Sequence, residues 1–237
     1  MNALTKLDAR APEPVSGLDR DALIARYRRF RAISAQHNRD VMRFIVDSFV
    51  LERAKRLGLR FGRRLAVGCE GESAALMDFV VHTAPPGRSR AIDRLAKVAP
   101  WPADSDERLV LEAMQGARFS IWRVERRHEL AGCVVFDMLR QSEHWLMDEA
   151  LEAHCTLGVT VGARLFECGG FAMTTGALAP VSEESLLEAL GAALPETEDP
   201  DVLAQDPRLA ATIYGAAIDR GELDGVAFSE LGATPRW

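Results

Sequence analysis

The chain has 237 residues, of which 48% are hydrophobic and 27% are charged, and its formal net charge is −6. These values are ordinary for a globular protein with its own hydrophobic core, built as one large domain or two small ones. Because no run of 18 apolar residues occurs, the sequence excludes a transmembrane helix. The first 20 residues contain no apolar stretch of signal-peptide length, and the four cysteines are widely spaced. We therefore predict a cytoplasmic protein with reduced thiols.

The charge is distributed as a gradient along the chain. Residues 18–64 contain 13 Lys and Arg against 5 Asp and Glu, a surplus of +8, whereas residues 181–237 contain 3 against 12, a balance of −9. Such asymmetry is typical of a basic binding face combined with an acidic tail. It is equally typical of two ends that attract each other, within the fold or across a dimer.

A flexible arm and a long helix are predicted at the N-terminus. Residues 1–17 contain two prolines and few apolar residues, which is typical of a flexible arm. A helical pattern then begins, with Asp19 or Asp21 as its cap, and it ends near Gly58. Along it, one face carries residues at alternating spacings of four and three. These are Leu23, Tyr27, Phe30, Ser34, His37, Val41, Phe44, Ser48 and Leu51.

Arginine is concentrated on the opposite face of this helix. At about 100° per residue, the side chains of Arg28, Arg29, Arg39, Arg43 and Arg53 point away from the apolar side. A solvated helix surface explains this pattern. A surface that binds nucleic acid or an acidic partner explains it as well, because the arginine fork pairs with phosphate and carboxylate groups. These five arginines are therefore the candidate macromolecule-binding residues.

Three shorter helices complete the N-terminal half. They are predicted from "CEGESAALMDFVVHTA", from "SRAIDRLAKVA" and from "DSDERLVLEAMQGA", whose acidic first turn suits the helix dipole. The clearest linker is "PWP" at 100–102, which precedes the last of these helices. We therefore predict a helical domain over residues 18–99 and a helix plus β module over residues 104–181.

From residue 118 the hydrophobic period becomes that of β-strands. Five short runs follow, rich in β-branched and aromatic residues: "RFSIWRVERR", "GCVVFDML", "EHWLMDE", "GVTVGARLFE" and "FAMTTGAL". Consecutive short strands predict a small antiparallel module that closes like a barrel, and Gly169 and Gly170 are typical of a hairpin turn with positive φ. Residues 182–237 are predicted as a helical acidic tail, with Pro207 near the start of its last helix. The fold class is therefore α+β.

The succession of "ARFSIWRVE", "GCVVFDML", "EHWLMDE", "ARLF" and "FAMTTGALAP" after a helix, within residues 106–181, resembles a β-rich module of uncharacterised bacterial proteins. Some of those proteins carry a SEC-C-type zinc motif, which needs clustered Cys and His residues. This sequence has no such cluster, so zinc binding does not carry over. The resemblance implies a bacterial protein of unknown function.

Neither a catalytic, nor a cofactor, nor a metal site is predicted. His128, Cys133, His144, His154 and Cys155 lie close in sequence, but they form no C-x-x-C or H-x-x-x-H pair of the kind that structural zinc sites show. The P-loop, the G-x-G-x-x-G motif and the G-x-S-x-G motif are absent from the sequence.

The sequence as a whole favours a non-enzymatic cytosolic interaction or regulatory protein without cofactors, whose partner is another protein and not a membrane. The first alternative is a nucleic-acid-binding protein that uses the arginine-rich helix over residues 26–64. The second is an enzyme whose site is assembled from dispersed residues, which a buried convergent polar pocket would favour. A homo-oligomer is compatible with all three.

Overall fold

The computed structural model describes residues 19–61, 64–85, 87–154, 156–182 and 199–223, together with positions 17, 184, 186–188 and 191. Most of the predicted arm and part of the predicted acidic tail, including the last fourteen residues, lie outside the described part. Within it the predicted α+β class is confirmed: helices fill the N-terminal half, a five-stranded sheet follows, and two helices come after the sheet. None of the described helices is both long and apolar enough to cross a bilayer.

Helix α1, Arg20–Val41, begins and packs as its sequence predicts. Asp19 is the N-cap and accepts a hydrogen bond from the backbone N–H of Ala22 at 2.8 Å. The predicted apolar face is buried from Leu23 to Val41. His37 lies on this face, where its Nε2 is 2.8 Å from the carbonyl oxygen of Glu107. A polar group on a buried face needs such a partner.

The prediction of one long helix is wrong beyond Val41. Residues Met42–Phe44 form a 3-10 turn, and Ile45 and Val46 are extended. Helix α2, Asp47–Arg56, starts anew after this break, so the four-three spacing no longer marks its buried side. Its buried residues are Val50, Arg53 and Ala54. The predicted exposure of Arg53 is therefore also wrong, since this side chain is 1% exposed.

The remaining described helices agree with the predicted segments where predictions were made. Helix α3 is Glu70–His82, α4 is Ala91–Val98 and α5 is Asp106–Gln115, capped by Ser105. A short helix α6, Glu149–Ala153, lies between two strands of the sheet. Near the end of the described chain are α7, Pro200–Gln205, and α8, Pro207–Asp219, which has proline in its first turn as expected. Two short strands, β1 (Arg60–Phe61) and β2 (Arg64–Leu65), pair after α2.

The five predicted strands form a closed barrel in the order β3-β4-β5-β7-β6. They are β3 (Arg118–Arg127), β4 (Cys133–Asp137), β5 (Ser142–Leu146), β6 (Thr160–Cys168) and β7 (Phe171–Pro180). Four of the pairings are antiparallel, but β5 and β7 pair in parallel through Leu146 and Ala172. The expectation of a purely antiparallel module is therefore wrong. The chain passes from β5 through α6 to the far edge of β3, so the last strand meets β5 in the same direction.

The turn between β6 and β7 has the predicted glycine conformations. Gly169 and Gly170 have φ values of 64° and 92°. A Cβ atom on Gly169 would lie 2.5 Å from the ring of Phe30, so the turn also needs a glycine to approach α1 closely. This contact fixes the position of α1 against the barrel.

Alternating residues of the strands separate the barrel interior from a helix-covered outside. Trp122, Val124 and Val135 belong to an interior cluster. Phe119 and Ile121, also on β3, pack instead with residues of α2, α3 and α8. A third cluster joins α1, α4 and α5 to β6 and β7. The hydrophobic clusters thus contain residues from both sides of "PWP", while the division into domains stays a prediction.

Candidate functional site

A buried carboxylate on α3 organises the polar interior between this helix and the barrel. Asp78 is 5% exposed and accepts hydrogen bonds from Thr175 Oγ1 at 2.6 Å and from the Tyr214 hydroxyl at 3.0 Å. Arg164 Nε donates to both carboxylate oxygens, at 3.1 and 3.2 Å. Burial by itself raises the pKa of Asp78, but the charge of Arg164 and the two hydroxyl donors outweigh it. The pKa is lowered, and the carboxylate is ionised at neutral pH.

Arg164 on β6 is held by this carboxylate and still has donors to offer. Its side chain is 6% exposed, and its guanidinium lies 5.7 Å from the centroid of the Phe119 ring. No described residue accepts a hydrogen bond from Nη1 or Nη2, and both atoms keep contact with open space. Because Nε is fixed by Asp78, the planar guanidinium presents these two donors in a defined direction.

Arg164 lines a cavity of about 540 Å³. The walls come from the end of α3, the start of α4, the junction of α5 with β3, and the junction of α7 with α8. Three arginines line this cavity, Arg90, Arg118 and Arg164, and we name it the cationic cavity after them. Each of them pairs with a carboxylate, Asp93, Asp201 and Asp78 respectively, so the cavity offers an anion guanidinium N–H donors rather than an excess of positive charge.

The two other arginines of the cationic cavity differ in how firmly they are held. Arg90 donates to Asp93 and to the backbone oxygen of Gln115, both at 2.8 Å, and it is therefore fixed in the wall. Arg118 is 59% exposed and lies 3.4 Å from Asp201. It forms the rim of the cavity, where an ion pair of this kind contributes little to stability and the side chain can turn towards a ligand.

His82, the last residue of α3, is an uncharged part of the cavity wall. It is 4% exposed, and neither ring nitrogen has a hydrogen-bond partner among the described residues or contact with solvent. Burial lowers its pKa to about 3, because the charged imidazolium would lose its hydration. At neutral pH the imidazole is therefore neutral, and the positive charge of the cavity comes from its arginines.

Two of the predicted macromolecule-binding arginines contact carboxylates of the same chain. Arg28 donates from Nε and Nη2 to Glu149 on α6 at 2.9 and 2.8 Å. Arg29 is 2.7 Å from Asp106 on α5. Although both side chains are more than half exposed, they bridge α1 to its neighbours, an arrangement that neither interpretation of the sequence included.

The other three predicted arginines lie in three different environments. Arg39 donates to Gln36 on its own helix, and Arg43 lies 5.0 Å from the centroid of the Phe44 ring. Arg53 is buried between the rings of Phe49 and Phe79, at 4.6 and 5.3 Å, and burial lowers its pKa. The five arginines therefore do not form one continuous exposed face.

A second, smaller polar site lies at one end of the barrel. Ser142 Oγ is 3.0 Å from His144 Nε2, and His144 Nδ1 is 2.9 Å from Glu167 Oε1. The two contacts agree on one tautomer, in which Nδ1–H donates to the carboxylate and Nε2 accepts from the hydroxyl. His144 also borders a cavity of about 290 Å³, the barrel-end cavity, together with Trp122 and Arg140.

The histidines and cysteines considered as metal ligands do not converge. His128 stacks on Trp145 at 3.9 Å, and Cys133 is buried in the barrel interior. Within the described part of the chain, no group of three or more His, Cys, Asp or Glu residues could hold a metal ion. Cys155 lies outside that part.

The residues around the cationic cavity were not candidates in the sequence. Asp78 and Arg164 are 86 residues apart, and Tyr214 follows Asp78 by 136 residues, so no spacing joins them. A signal does exist at each position, since Asp78 interrupts the apolar run "ALMDFVV" and Arg164 interrupts "VGARLF". A charged residue inside an apolar helix or strand requires a buried partner.

Comparisons with known proteins identify a family but no activity. Neither a curated protein nor a solved structure matches this chain. A family model described as a family of unknown function, DUF7986, matches residues 21–191, from the first turn of α1 to beyond β7. The matched part contains Asp78, His82 and Arg164, the described residues at the centre of the cationic cavity. The chain thus belongs to this family of unknown function.

Proposed function

We propose that this protein is a non-enzymatic regulatory protein that binds a small anion, the phosphate or carboxylate group of a ligand, in the cationic cavity. The observation that carries the proposal is Arg164. Its Nε is neutralised by a buried carboxylate, while its two terminal nitrogens have no acceptor among the described residues and reach open space. An oxyanion is the ligand that accepts two parallel hydrogen bonds from this group.

The fixed orientation of the Arg164 side chain supports the proposal. A mobile arginine loses rotamer entropy when it binds an anion, at a cost of about 0.5–1.5 kcal/mol for a side chain of this type. Arg164 has lost this freedom already, because Asp78 is itself fixed by Thr175 and Tyr214. The low exposure of the site also strengthens each charge-assisted hydrogen bond relative to one at the surface.

The N-terminus of α8 also favours binding of an anion in the cationic cavity. Asp206 and Pro207, its N-cap and first residue, line the cationic cavity, and α8 spans 13 residues. The positive end of its dipole therefore lies at the cavity. Asp206 opposes an anion with its own charge, but its carboxylate is engaged by Arg208, at 2.6 Å.

Binding of inorganic phosphate, measured by calorimetry and by thermal shift against sodium chloride at equal ionic strength, tests the proposal. We expect saturable binding to the parent protein, weaker binding to Arg118→Gln, and strongly weakened binding to Arg164→Lys, which keeps the charge but loses the fork. Arg126→Gln is the matched control, because Arg126 pairs with Glu143 on the barrel and does not line the cavity. Equal phosphate binding by the parent, Arg118→Gln and Arg164→Lys would refute the proposal.

A regulatory role includes a partner macromolecule, and we propose another protein. The exposed side of α1 near Arg39 and Arg43 supports a contact there, with nucleic acid as the alternative partner, and a homo-oligomer is compatible with it. We propose a reducing cytoplasm as the compartment of this protein, because the four cysteines are few and widely spaced in the sequence. A bacterial origin, and kinship with proteins that carry the SEC-C-type motif, rest on the resemblance of residues 106–181 alone.

We propose hydrolysis of a small acyl ester as a second candidate function, supported by the contacts among Ser142, His144 and Glu167. The order nucleophile, base and carboxylate is the one that activates serine in hydrolases. Ser142 Oγ would form a bond to the acyl carbon as its proton passes to His144 Nε2. The alcohol would then leave with that proton, and water would release the acid.

Labelling with a fluorophosphonate probe tests this second candidate. If Ser142 is activated, the parent protein gains one covalent adduct at Ser142, and His144→Gln reacts at least about tenfold more slowly, because general base catalysis is lost. Ser142→Ala is the control for the site of labelling. A parent protein that reacts no faster than Ser142→Ala would refute esterase chemistry here, whatever the outcome of the phosphate titration.

A further inference from the structure

The cationic cavity and the barrel-end cavity are neighbours. Gly116 and Arg118, at the junction of α5 with β3, line both of them. Gly116 has no side chain, and the Arg118 side chain is 59% exposed, so neither residue places a buried side chain in this shared wall. A ligand of moderate size that extends past these two residues would contact both cavities.

The barrel-end cavity differs from its neighbour in the side chains that line it. Two arginines and two acidic residues line it, so its formal charges cancel: these are Arg118, Arg140, Asp137 and Glu167. Asp137 is already saturated, because it accepts hydrogen bonds from Ser120, from the backbone of Leu139 and from Arg140. Because the charges that line this cavity cancel, a second anionic group of the ligand would find no unpaired positive charge there. A neutral group can be buried in the cavity without leaving a charge unpaired.

The remaining wall of the barrel-end cavity is suited to a ring. Trp122, Leu165, Phe166 and Ala172 contribute apolar surface to it. The indole of Trp122 is fixed, since its Nε1–H donates to the backbone oxygen of Ala163 at 2.9 Å and its ring meets His144 edge to face at 5.3 Å. Because Trp122 is 4% exposed, a ligand ring in this cavity would meet the accessible edge of the indole rather than stack on its face.

We infer that the ligand is an organic anion of two parts, with a phosphate or carboxylate group against Arg164 and a neutral ring-bearing body in the barrel-end cavity beside Trp122. This inference rests on the proposed anion-binding function and specifies its ligand class.

Phenyl phosphate, inorganic phosphate and the neutral benzyl alcohol are the probes that test the inference. We expect phenyl phosphate to bind the parent protein about tenfold or more tighter than inorganic phosphate, because the ring buries apolar surface. Benzyl alcohol should bind the weakest of the three, because it lacks the anion. Binding should also quench part of the tryptophan fluorescence, and this quenching should be lost in Trp122→Phe.

Ala113→Leu gives the decisive variant, because Ala113 is on α5, lines only the barrel-end cavity and is half-buried. Leucine is a good helix former and fills part of the space. We expect the variant to bind inorganic phosphate as the parent does and to lose the advantage of phenyl phosphate. Ala150→Leu on α6, outside both cavities, is its control.

The outcomes separate the two proposals. Equal affinity of the parent for phenyl phosphate and inorganic phosphate, or an advantage that survives in Ala113→Leu, overturns the bipartite ligand and leaves the anion site standing. Absence of binding by both phosphates overturns both proposals. If Ala113→Leu does not fold, the fluorescence comparison of the parent with Trp122→Phe decides, because a ring bound elsewhere would leave Trp122 unquenched.

Discussion

Two buried arginines in this molecule show what a buried positive charge needs. Arg164 is 5% exposed and Arg53 is 1% exposed. Arg164 faces the ionised carboxylate of Asp78 and an open cavity, whereas Arg53 lies between two phenylalanine rings. The acid paired with Arg53 is Glu52, at 3.8 Å. The Nε and Nη1 atoms of Arg53 have no hydrogen-bond partner among the described residues.

The difference indicates two separate uses of the same side chain. Around Arg164, hydrogen bonds fix the guanidinium and still leave two nitrogens that reach the cavity, which is what a binding site needs. Around Arg53, cation–π contacts and packing hold the side chain where no ligand can reach it. A buried arginine by itself therefore does not identify a site; the neighbouring carboxylate and the open space do.

The largest expected effect comes from removing the carboxylate of the Arg164 region. Asp78→Asn keeps the shape of the side chain but leaves Arg164 as an unpaired buried charge, and we expect it to lower the free energy of unfolding by about 3–5 kcal/mol. Glu52→Gln removes the long contact with Arg53 and a surface ion pair with Arg56 at 2.8 Å, so we expect a loss below about 1 kcal/mol. Urea denaturation of both variants measures this. Similar losses for the two would show that the two arginines do not differ as described.

Replacement of the arginines themselves tests the same comparison from the side of the positive charge. Arg164→Met leaves Asp78 buried without its counter-charge, with a loss of about 3–5 kcal/mol, whereas Arg53→Met removes two unsatisfied donors along with the cation–π contacts. We expect these opposing changes to keep Arg53→Met within about 1 kcal/mol of the parent. Denaturation midpoints at one pH give both values. A loss for Arg53→Met as large as that for Arg164→Met would mean that Arg53 has a charge partner in solution.

The elements of this fold were predictable where local chemistry decides them. The cap at Asp19, the buried face up to Val41 and the turn at Gly169 depend on neighbours a few residues away. The break at Ile45 was not predictable, because the apolar spacing continues through it and packing of the whole chain decides. The parallel pairing of β5 with β7 depends in the same way on where the barrel closes.

The candidate site was less predictable than the fold, for a physical reason. The arginines of α1 were predicted to bind a macromolecule because they cluster in sequence. In the structure, Arg28 and Arg29 contact carboxylates 121 and 77 residues away. The residues around Asp78 are isolated in sequence and meet only in the fold. A charged residue inside an apolar run was their one local signal, and it predicts a buried partner without identifying it.

The free energy of unfolding should decrease in acid because of His82, which lies beside the Arg164 region. The pKa of His82 is about 3 in the folded protein and about 6.5 when exposed, so the unfolded chain binds a proton first as the pH falls below 6.5. Stability is therefore full above pH 6.5 and declines from there towards pH 3. At about 1.36 kcal/mol per pH unit, the decline between pH 7 and pH 5 is about 2 kcal/mol.

His82→Gln tests this contribution, because Arg164, Thr175 and Tyr214, which lower the pKa of Asp78, all remain in the variant. We expect the free energy of unfolding of His82→Gln to depend less on pH between 7 and 5 than that of the parent. His154→Gln, at an exposed histidine, controls for the replacement of a histidine by glutamine. If the free energy of unfolding depends on pH equally in the variant and the parent, His82 is protonated in the folded parent. The histidine would then contact solvent or an acid.

The smallest expected effect concerns the arginines of α1, which belong to neither buried region. In the parent, Glu149 and Asp106 neutralise Arg28 and Arg29, so we expect no salt-sensitive binding to a labelled oligonucleotide. The double variant Glu149→Gln with Asp106→Asn frees both arginines. We expect it to gain weak binding, with a slope of log affinity against log salt near about −2, because each phosphate contact on duplex DNA contributes about −0.9. A fluorescence titration at two salt concentrations measures the slope for both proteins. Salt-sensitive binding by the parent itself would show that these ion pairs open for phosphate, and would favour nucleic acid as the partner of this surface.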